Sequence, residues 1–504
     1  MRRKPYPMTE LLGGMSVDLD PLFLTDQESP NLKMCRFDKH ILKKDYAWKS
    51  FGSVSERPML IDTYDRTDGT SKLVLFTVDK GYYWDPSGEV FTAISGSDVF
   101  TGDADDTFCS CIFNDLFIIS NFKDVVYKWD GTTFSALGGL SSPDIRGKVL
   151  IPYYNHLLMG FTNESTADCP QRVRWSDTGD PEEWDDTDLS KNAGYVDLSD
   201  TPDWITQFAL LRDRLFVFKE RSIWEITHVG GTDVFEPRLI IDGVGCWASG
   251  TIVNLGEQLI FYGSDNVYLF DGMTLTPVGD ALYPLFYETE NRIVNADKIQ
   301  RAVGEYIEEL GDYVLCLPTE GDDPNWFLRY NINEKTWIQR DSETVAIGLY
   351  SKGDLTIWDS ATGAWDDSQW QRSWDSLRVP PGTPITLFAQ ADGTVLQDDR
   401  SEESSDLMVW ESKDLLLGHE ERFIALRVIA KGDGFDVSYS TNGGFSWSEE
   451  KTLTPDSDVY TELTWHFDVT CRVIRFRIRS RNGDVNVKYL EPWYVPRVRS
   501  EGGM

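Results

Sequence analysis

The sequence predicts an all-β protein: a β-propeller of about seven blades followed by a C-terminal β-sandwich of jelly-roll type. Three observations predict it. An aromatic residue next to an acid or amide recurs at Trp84-Asp85, Trp129-Asp130, Trp175-Ser176-Asp177, Trp224-Glu225, Phe270-Asp271, Tyr330-Asn331 and Trp358-Asp359. The steps are 45, 46, 49, 46, 60 and 28 residues, the last two together making two steps of 44. A repeat of about 40 to 50 residues is the period of propeller blades, four-stranded sheets that bury their faces only against neighbours. Tight-turn dipeptides separate the short apolar runs within each repeat. Aromatic residues reach 13 %, with 18 Trp, while helical periodicity is scarce: the best candidate, Asn291 to Tyr306, is interrupted and ends at Gly304.

Taken in order, residues 1–50 hold Pro, charge and little periodicity, and are expected to form an arm lying on something else. Met1 to Pro7 is basic but no apolar core follows, so neither a secretory signal nor a membrane span is expected. Residues 51–404 form the propeller. Its second blade reads Cys109 to Phe113, Leu116 to Ser120, Val125 to Trp129 and Phe134 to Leu137. Asn114-Asp115 and Asp130-Gly131 between them tolerate the positive φ of tight hairpins. The fourth blade reads Ile205 to Leu210, Leu215 to Phe218, Ser222 to Ile226 and Phe235 to Ile240. The fifth reads Thr251 to Asn254, Leu259 to Tyr262, Val267 to Phe270 and Leu275 to Val278. A large β-sandwich is the alternative, but sandwiches do not require a fixed period.

The propeller is expected to end in the charged, serine-rich stretch Asp398 to Asp406. Residues 405–495 then offer short strands, among them Leu407 to Ser412, Phe423 to Ala430, Phe435 to Ser440, Tyr460 to Phe467, Val473 to Arg479 and Val485 to Tyr489. Turns at that spacing read as a sandwich. Residues 496–504 are a tail.

Charge narrows the function. The net is −35; residues 405–504 carry 13 basic and 16 acidic side chains, leaving −32 on residues 1–404. Such a surface repels phosphate, so nucleic-acid gripping by the propeller is disfavoured. It suits solubility, or a passage whose wall must not hold a polyanion. The seven cysteines are odd in number and scattered, as buried thiols of a protein made in a reducing cytoplasm would be. Cys109-Ser110-Cys111 hints at zinc but lacks a second ligand pair; in an alternating strand both thiols simply face one side. His40, His156, His228, His419 and His466 show no mutual spacing that builds a metal triad or a catalytic relay. No cofactor and no catalytic residue is expected.

Three constellations remain. Ser440 to Trp447 fits the Asp-box pattern S-x-D/N-x-G-x-S/T-W of sialidases, a hairpin whose polar groups cap the turn while Trp447 packs beneath. It serves folding there, and glycan hydrolysis is the alternative it suggests. Asp177, Asp180, Glu182, Glu183, Asp185, Asp186 and Asp188 form an acidic loop flanked by Trp175 and Trp184. Such a loop gathers Ca²⁺, pairs an acid with a base, or simply stays solvated or at an interface. Arg475, Arg477, Arg479 and Arg481 share one face of a strand, with Ile474, Phe476 and Ile478 on the other. They pair with acids of their own domain or dock an acidic partner.

Several phrases together resemble the nozzle (tubular tail or head-stabilisation) proteins of short-tailed bacteriophages. They are Asn114 to Asn121 with Tyr127 to Gly131, Gln171 to Trp184, Ile241 to Cys246, and the Ser440 to Trp447 box. The resemblance spans most of residues 50–495 and implies a structural protein of the virion tail, made in the host cytoplasm. It implies a homohexameric ring around a channel through which viral DNA passes without specific binding. A tail adaptor ring above and fibre or needle proteins at the tip are its implied partners, and it brings no catalytic residues. The alternative is a glycan-directed protein, a sialidase-like hydrolase or a carbohydrate-binding module on a propeller.

Overall fold

The computed structural model describes residues 3–6, 8, 11, 13–140, 144–231, 233–351 and 384–496. The expected repeat at Trp358-Asp359 and all but the first residue of the 496–504 tail lie outside them. The chain is all-β, with the repeating four-stranded antiparallel sheets of a β-propeller, and divides into two compact units. One comprises Lys49–Ser249 and Thr344–Asp398; the other comprises Met1–Trp48, Gly250–Glu343 and Asp399–Met504. Among the described residues, no helix is long and apolar enough to cross a membrane.

The first of these units holds four sheets that follow one another in the chain. Sheet I is Pro58–Asp65, Ser71–Thr77, Gly81–Asp85 and Val90–Ala93; sheet II is Cys109–Phe113, Leu116–Ser120, Tyr127–Trp129 and Phe134–Ala136. Sheet III is Ile145–Tyr153, His156–Glu164, Ala167–Trp175 and Gly194–Asp197; sheet IV is Ile205–Leu211, Arg214–Lys219, Ser222–His228 and Phe235–Asp242. A further sheet joins Ala346–Tyr350, Ile385–Ala389 and Thr394–Glu403 to the early strand Tyr46–Ser53.

The aromatic-acid repeat now has a physical cause. It marks the third strand of successive sheets, where the aromatic ring is buried; at Asp130, Asp271 and Asn331 the following polar side chain closes the outer turn, whereas Glu225 pairs with Arg214 and Arg238. Asp130 Oδ1 accepts hydrogen bonds from the Thr132 and Thr133 amides at 2.8 and 2.7 Å. Asp271 does the same for Met273 and Thr274, and Asn331 for Asn333 and Glu334. These are Asx turns, the local alternative to a backbone turn. Trp129, Phe270 and Tyr330 beside them are buried. The Asn114-Asp115 hairpin has φ of 50° and 59° at its two central residues, the left-handed pair a two-residue turn requires.

Cores form where sheets face each other. Phe76 of sheet I stacks parallel to Phe117 of sheet II with ring centroids 5.7 Å apart. Sheets III and IV approach closely at Gly160, where a Cβ would lie 2.6 Å from the Phe208 ring. Glycine is the residue that fits there, and the strand is bulged beside it, between Gly160 and Thr162.

The second unit holds a sixth separate four-stranded sheet, Val253–Asn254, Leu259–Tyr262, Val267–Phe270 and Leu275–Pro277. It also holds a fourteen-stranded sheet. That sheet begins with an antiparallel meander, Val303–Ile307, Asp312–Pro318, Pro324–Asn331 and Thr336–Asp341. Leu32–Lys33 pairs parallel to the last of these strands and antiparallel to Met408–Glu411. Thr461–Ser480, Leu415–Gly432, Val485–Val495, Ile41–Lys44 and Cys35–Asp38 continue the order, and Phe435–Ser440 with Lys451–Leu453 pairs against Thr461–Ser480.

The interrupted Asn291 to Tyr306 stretch holds only the 3-10 helix Ala296–Arg301, then enters the strand Val303–Ile307. Three expectations change. The N-terminal residues expected as an arm supply strands to this sheet. The polar stretch expected to break the chain at Asp398 to Asp406 lies largely in the strand Thr394–Glu403, whose outer residues are exposed and need no apolar side chains. The strands expected at Tyr460 to Phe467 and Val473 to Arg479 are one strand of 20 residues. The polar residues between them, Asp468, Thr470 and Arg472, are all exposed.

Candidate interaction surfaces

The acidic loop follows the third strand of sheet III and is pinned by its two tryptophans. Trp175 Nε1 donates to Asn192 O at 2.8 Å and Trp184 Nε1 to Pro181 O at 2.7 Å. Each carboxylate serves its own local partner. Asp177 accepts from the Asn192 amide, Asp180 from the Glu182 amide, and Glu182 from the Gly138 amide at 2.6 Å while pairing with Lys128 at 2.9 Å. Glu183 pairs with Lys191 at 3.3 Å, and Asp186 with the buried guanidinium of Arg174 at 3.0 Å. Asp185 caps Thr187 and Asp188 caps Ser190. The Lys128 ammonium holds the Glu182 carboxyl below its usual range, and the Thr187 and Ser190 hydroxyls do so for Asp185 and Asp188. The seven are neighbours in sequence but do not converge. Among the described residues no group of three or more His, Cys, Asp or Glu side chains is arranged to hold a metal ion.

Of the two readings of the arginine row, the structure shows pairing with acids of the same unit for Arg475, Arg477 and Arg479. Arg475 is buried and grips Asp414 with two hydrogen bonds, Nε to Oδ1 at 2.8 Å and Nη2 to Oδ2 at 3.0 Å, with Glu411 3.5 Å from Nη1. Arg477 lies 4.0 Å over the Trp447 ring and 3.5 Å from Glu450; Arg479 pairs with the same Glu450 at 2.5 Å. Arg481 lies past the end of the strand, and its carbonyl accepts from the buried Lys44 ammonium at 2.7 Å. The alternation does put Arg475, Arg477 and Arg479 on one face. That face is met by acids from elsewhere in the same unit.

The box at Ser440 to Trp447 folds as a self-capped hairpin. Ser440 Oγ accepts from the Gly444 amide at 2.9 Å, and Asn442 Oδ1 accepts from the Ser446 amide at 3.0 Å. Gly444 has φ of +90°, and a Cβ there would lie 3.0 Å from Arg475 Nη1, so the turn closes directly over the buried ion pair. Trp447 supports Arg477, and Phe445 stands out at the tip, 94 % exposed.

One cluster escaped the sequence. His156, after the Tyr154-Asn155 turn of sheet III, is buried; its Nδ1–H donates to Ser176 O at 2.6 Å and its Nε2 lies 3.2 Å from Thr178 Oγ1. The His228 ring of sheet IV is 6.4 Å away and stacks on Tyr154 at 4.6 Å. Burial, with His228 nearby, pushes the His156 pKa below its ordinary value. The two histidines are 72 residues apart in different blades, and no local spacing signals their meeting. Cys109 and Cys111 are free thiols, and burial raises both pKa values, Cys109 to about 11.

No family model and no curated protein matches this sequence. Among solved structures the chain is similar to the WD40 domain of Pan2 from Neurospora crassa, at 8 % identity, covering 72 % of this chain and 97 % of that one with a TM-score of 0.38. It is also similar to YCF48 from Cyanidioschyzon merolae, at 12 % identity, 70 % and 99 % coverage and a TM-score of 0.38. The computationally designed protein Ika8 is a third, at 9 % identity, 69 % and 99 % coverage and a TM-score of 0.35.

Proposed function

We propose that this chain is a non-catalytic structural protein of a bacteriophage tail, of the nozzle type, assembling as a homohexameric ring around the path of the genome. The observation that carries this reading is the charge: −32 on residues 1–404 of a propeller-bearing chain. A wall of fixed carboxylates lets a polyanion slide, whereas each exposed cation would hold a phosphate. The polar constellations support it, because the acidic loop and the arginine strand spend their charges on tying their own units together. In this reading the meander of residues 303–341 is the seventh blade, and the strands beyond residue 405 form the sandwich. The adaptor ring, the fibre or needle proteins and the passing DNA are its partners. A glycan-directed protein remains the second reading, and it rests on the Ser440 to Trp447 hairpin alone.

The test is location. An antibody against this chain, applied to intact virions and to isolated tails, is expected to label the distal tail. Absence of the chain from purified virions overturns the reading.

A further inference from the structure

Three segments meet at Asp414, and each carries an exposed apolar side chain two residues from the meeting point. The Asp414 amide donates to Pro21 O at 3.0 Å, bringing in the segment of residues 18–28. Lys413 fastens the same segment, its ammonium donating to Leu24 O at 3.1 Å and pairing with Asp26 at 2.7 Å. The box turn arrives at Gly443, where a Cβ would lie 3.8 Å from Asp414 Oδ2. The third segment is the strand Leu415–Gly432 itself. Phe23 is 71 % exposed, Phe445 94 %, Leu416 47 % and Leu19 50 %. Single exposed apolar residues are ordinary, but a group of them held on a fixed platform marks a contact surface. The platform here is the Asp414–Arg475 pair, which is buried and held at both ends.

The rim is net acidic, although Arg475, Arg477 and Arg479 stand beneath the box turn and Glu450 is already paired with the last two. Residues 18–28 contain Asp18, Asp20, Asp26 and Glu28 and no Lys or Arg; residues 441–450 contain Glu449 and Glu450 and again no base. Residues 413–421 contain Asp414, Glu420 and Glu421 against Lys413 alone, and that lysine is paired with Asp26. We propose that this patch docks a basic segment of another protein, one that places apolar anchor side chains on Phe23, Leu416 and Phe445 and cationic side chains on the surrounding acids. Lipid phosphates are repelled by these acids. The inference does not depend on the tail reading and stands or falls separately from it.

Two fluorescent synthetic peptides of equal length, one alternating Lys and Leu and one alternating Lys and Ser, test it by anisotropy on the full chain. The Lys-Leu peptide binds the wild-type protein more tightly than the Lys-Ser peptide. Phe23→Ser/Phe445→Ser weakens the Lys-Leu peptide by about tenfold or more, as loss of interface anchors does. Leu189→Ser, at a fully exposed residue of the other unit, leaves it unchanged. Both phenylalanines face solvent, so the double variant should melt with the wild type; if it melts lower, Phe445→Ser alone takes its place. Equal affinity for the two peptides, or no loss in the variant, overturns the proposal. So does wild-type self-association in sedimentation that the variant lacks, because the occupant is then a second copy.

Discussion

Asp414 and Arg475 form a buried, two-pronged ion pair 61 positions apart in the chain, with the glycine turn of the Ser440 to Trp447 box closed over it. The pair joins the strand Thr461–Ser480 to the start of Leu415–Gly432 and is the common footing of three surface segments. It therefore acts as a structural joint, not as part of a cationic docking face.

Removing one partner leaves the other charge buried without compensation. Asp414→Asn and Arg475→Met should each destabilise the protein by about 3 to 5 kcal/mol, while Asp414→Leu with Arg475→Met should recover much of that loss. Chemical denaturation of the three variants checks this. Equal losses in single and double variants would mean that packing, not charge pairing, holds the joint.

Asp130 closes the outer turn of sheet II, and the Thr132 hydroxyl, followed by the Thr133 and Thr132 amides, holds its carboxyl down to about 2. The folded value lies below the unfolded one, so this contribution is full above about pH 4 and is lost as pH falls toward 2. The side chain is largely exposed, so solvent screens the effect and the stability change is small. Carboxyl chemical shifts should place its midpoint near 2, and Thr132→Ala should move it upward.

His156 is held neutral by burial, so the folded state binds fewer protons there than the unfolded chain does. Stability from this site is complete above about pH 6.5 and declines as pH falls toward the lower folded value. His156→Gln should cost stability at neutral pH and flatten the decline below about pH 6.5 relative to the wild type. A parallel pH profile in the variant would assign the decline elsewhere.

The blades were legible in the sequence because their signals are local. A two-residue turn favours Asn, Asp or Gly at positive φ, an Asx turn needs its acid two residues before the amides it caps, and both are legible in short stretches such as Asn114-Asp115 and Asp130-Gly131. Strand ends in sheets II and IV fall within two residues of expectation for the same reason. The large sheet was less legible. Thr394–Glu403 carries its exposed side chains as a polar run, so apolar alternation does not mark it, and Thr461–Ser480 is interrupted in the same way by Asp468 to Arg472. The arginine face was placed correctly by alternation, but its partners Asp414 and Glu450 come from 61 and 29 residues away. Long-range partners of that kind, like the meeting of His156 and His228, leave no mark in local spacing.

The mass and imaged symmetry of the particle that this chain forms in the tail decide whether it builds the proposed ring. Six copies of the 57.5 kDa chain around an open axis whose wall presents carboxylates are expected. A single copy in the tail, or a lumen lined by stripes of Lys and Arg, would contradict it.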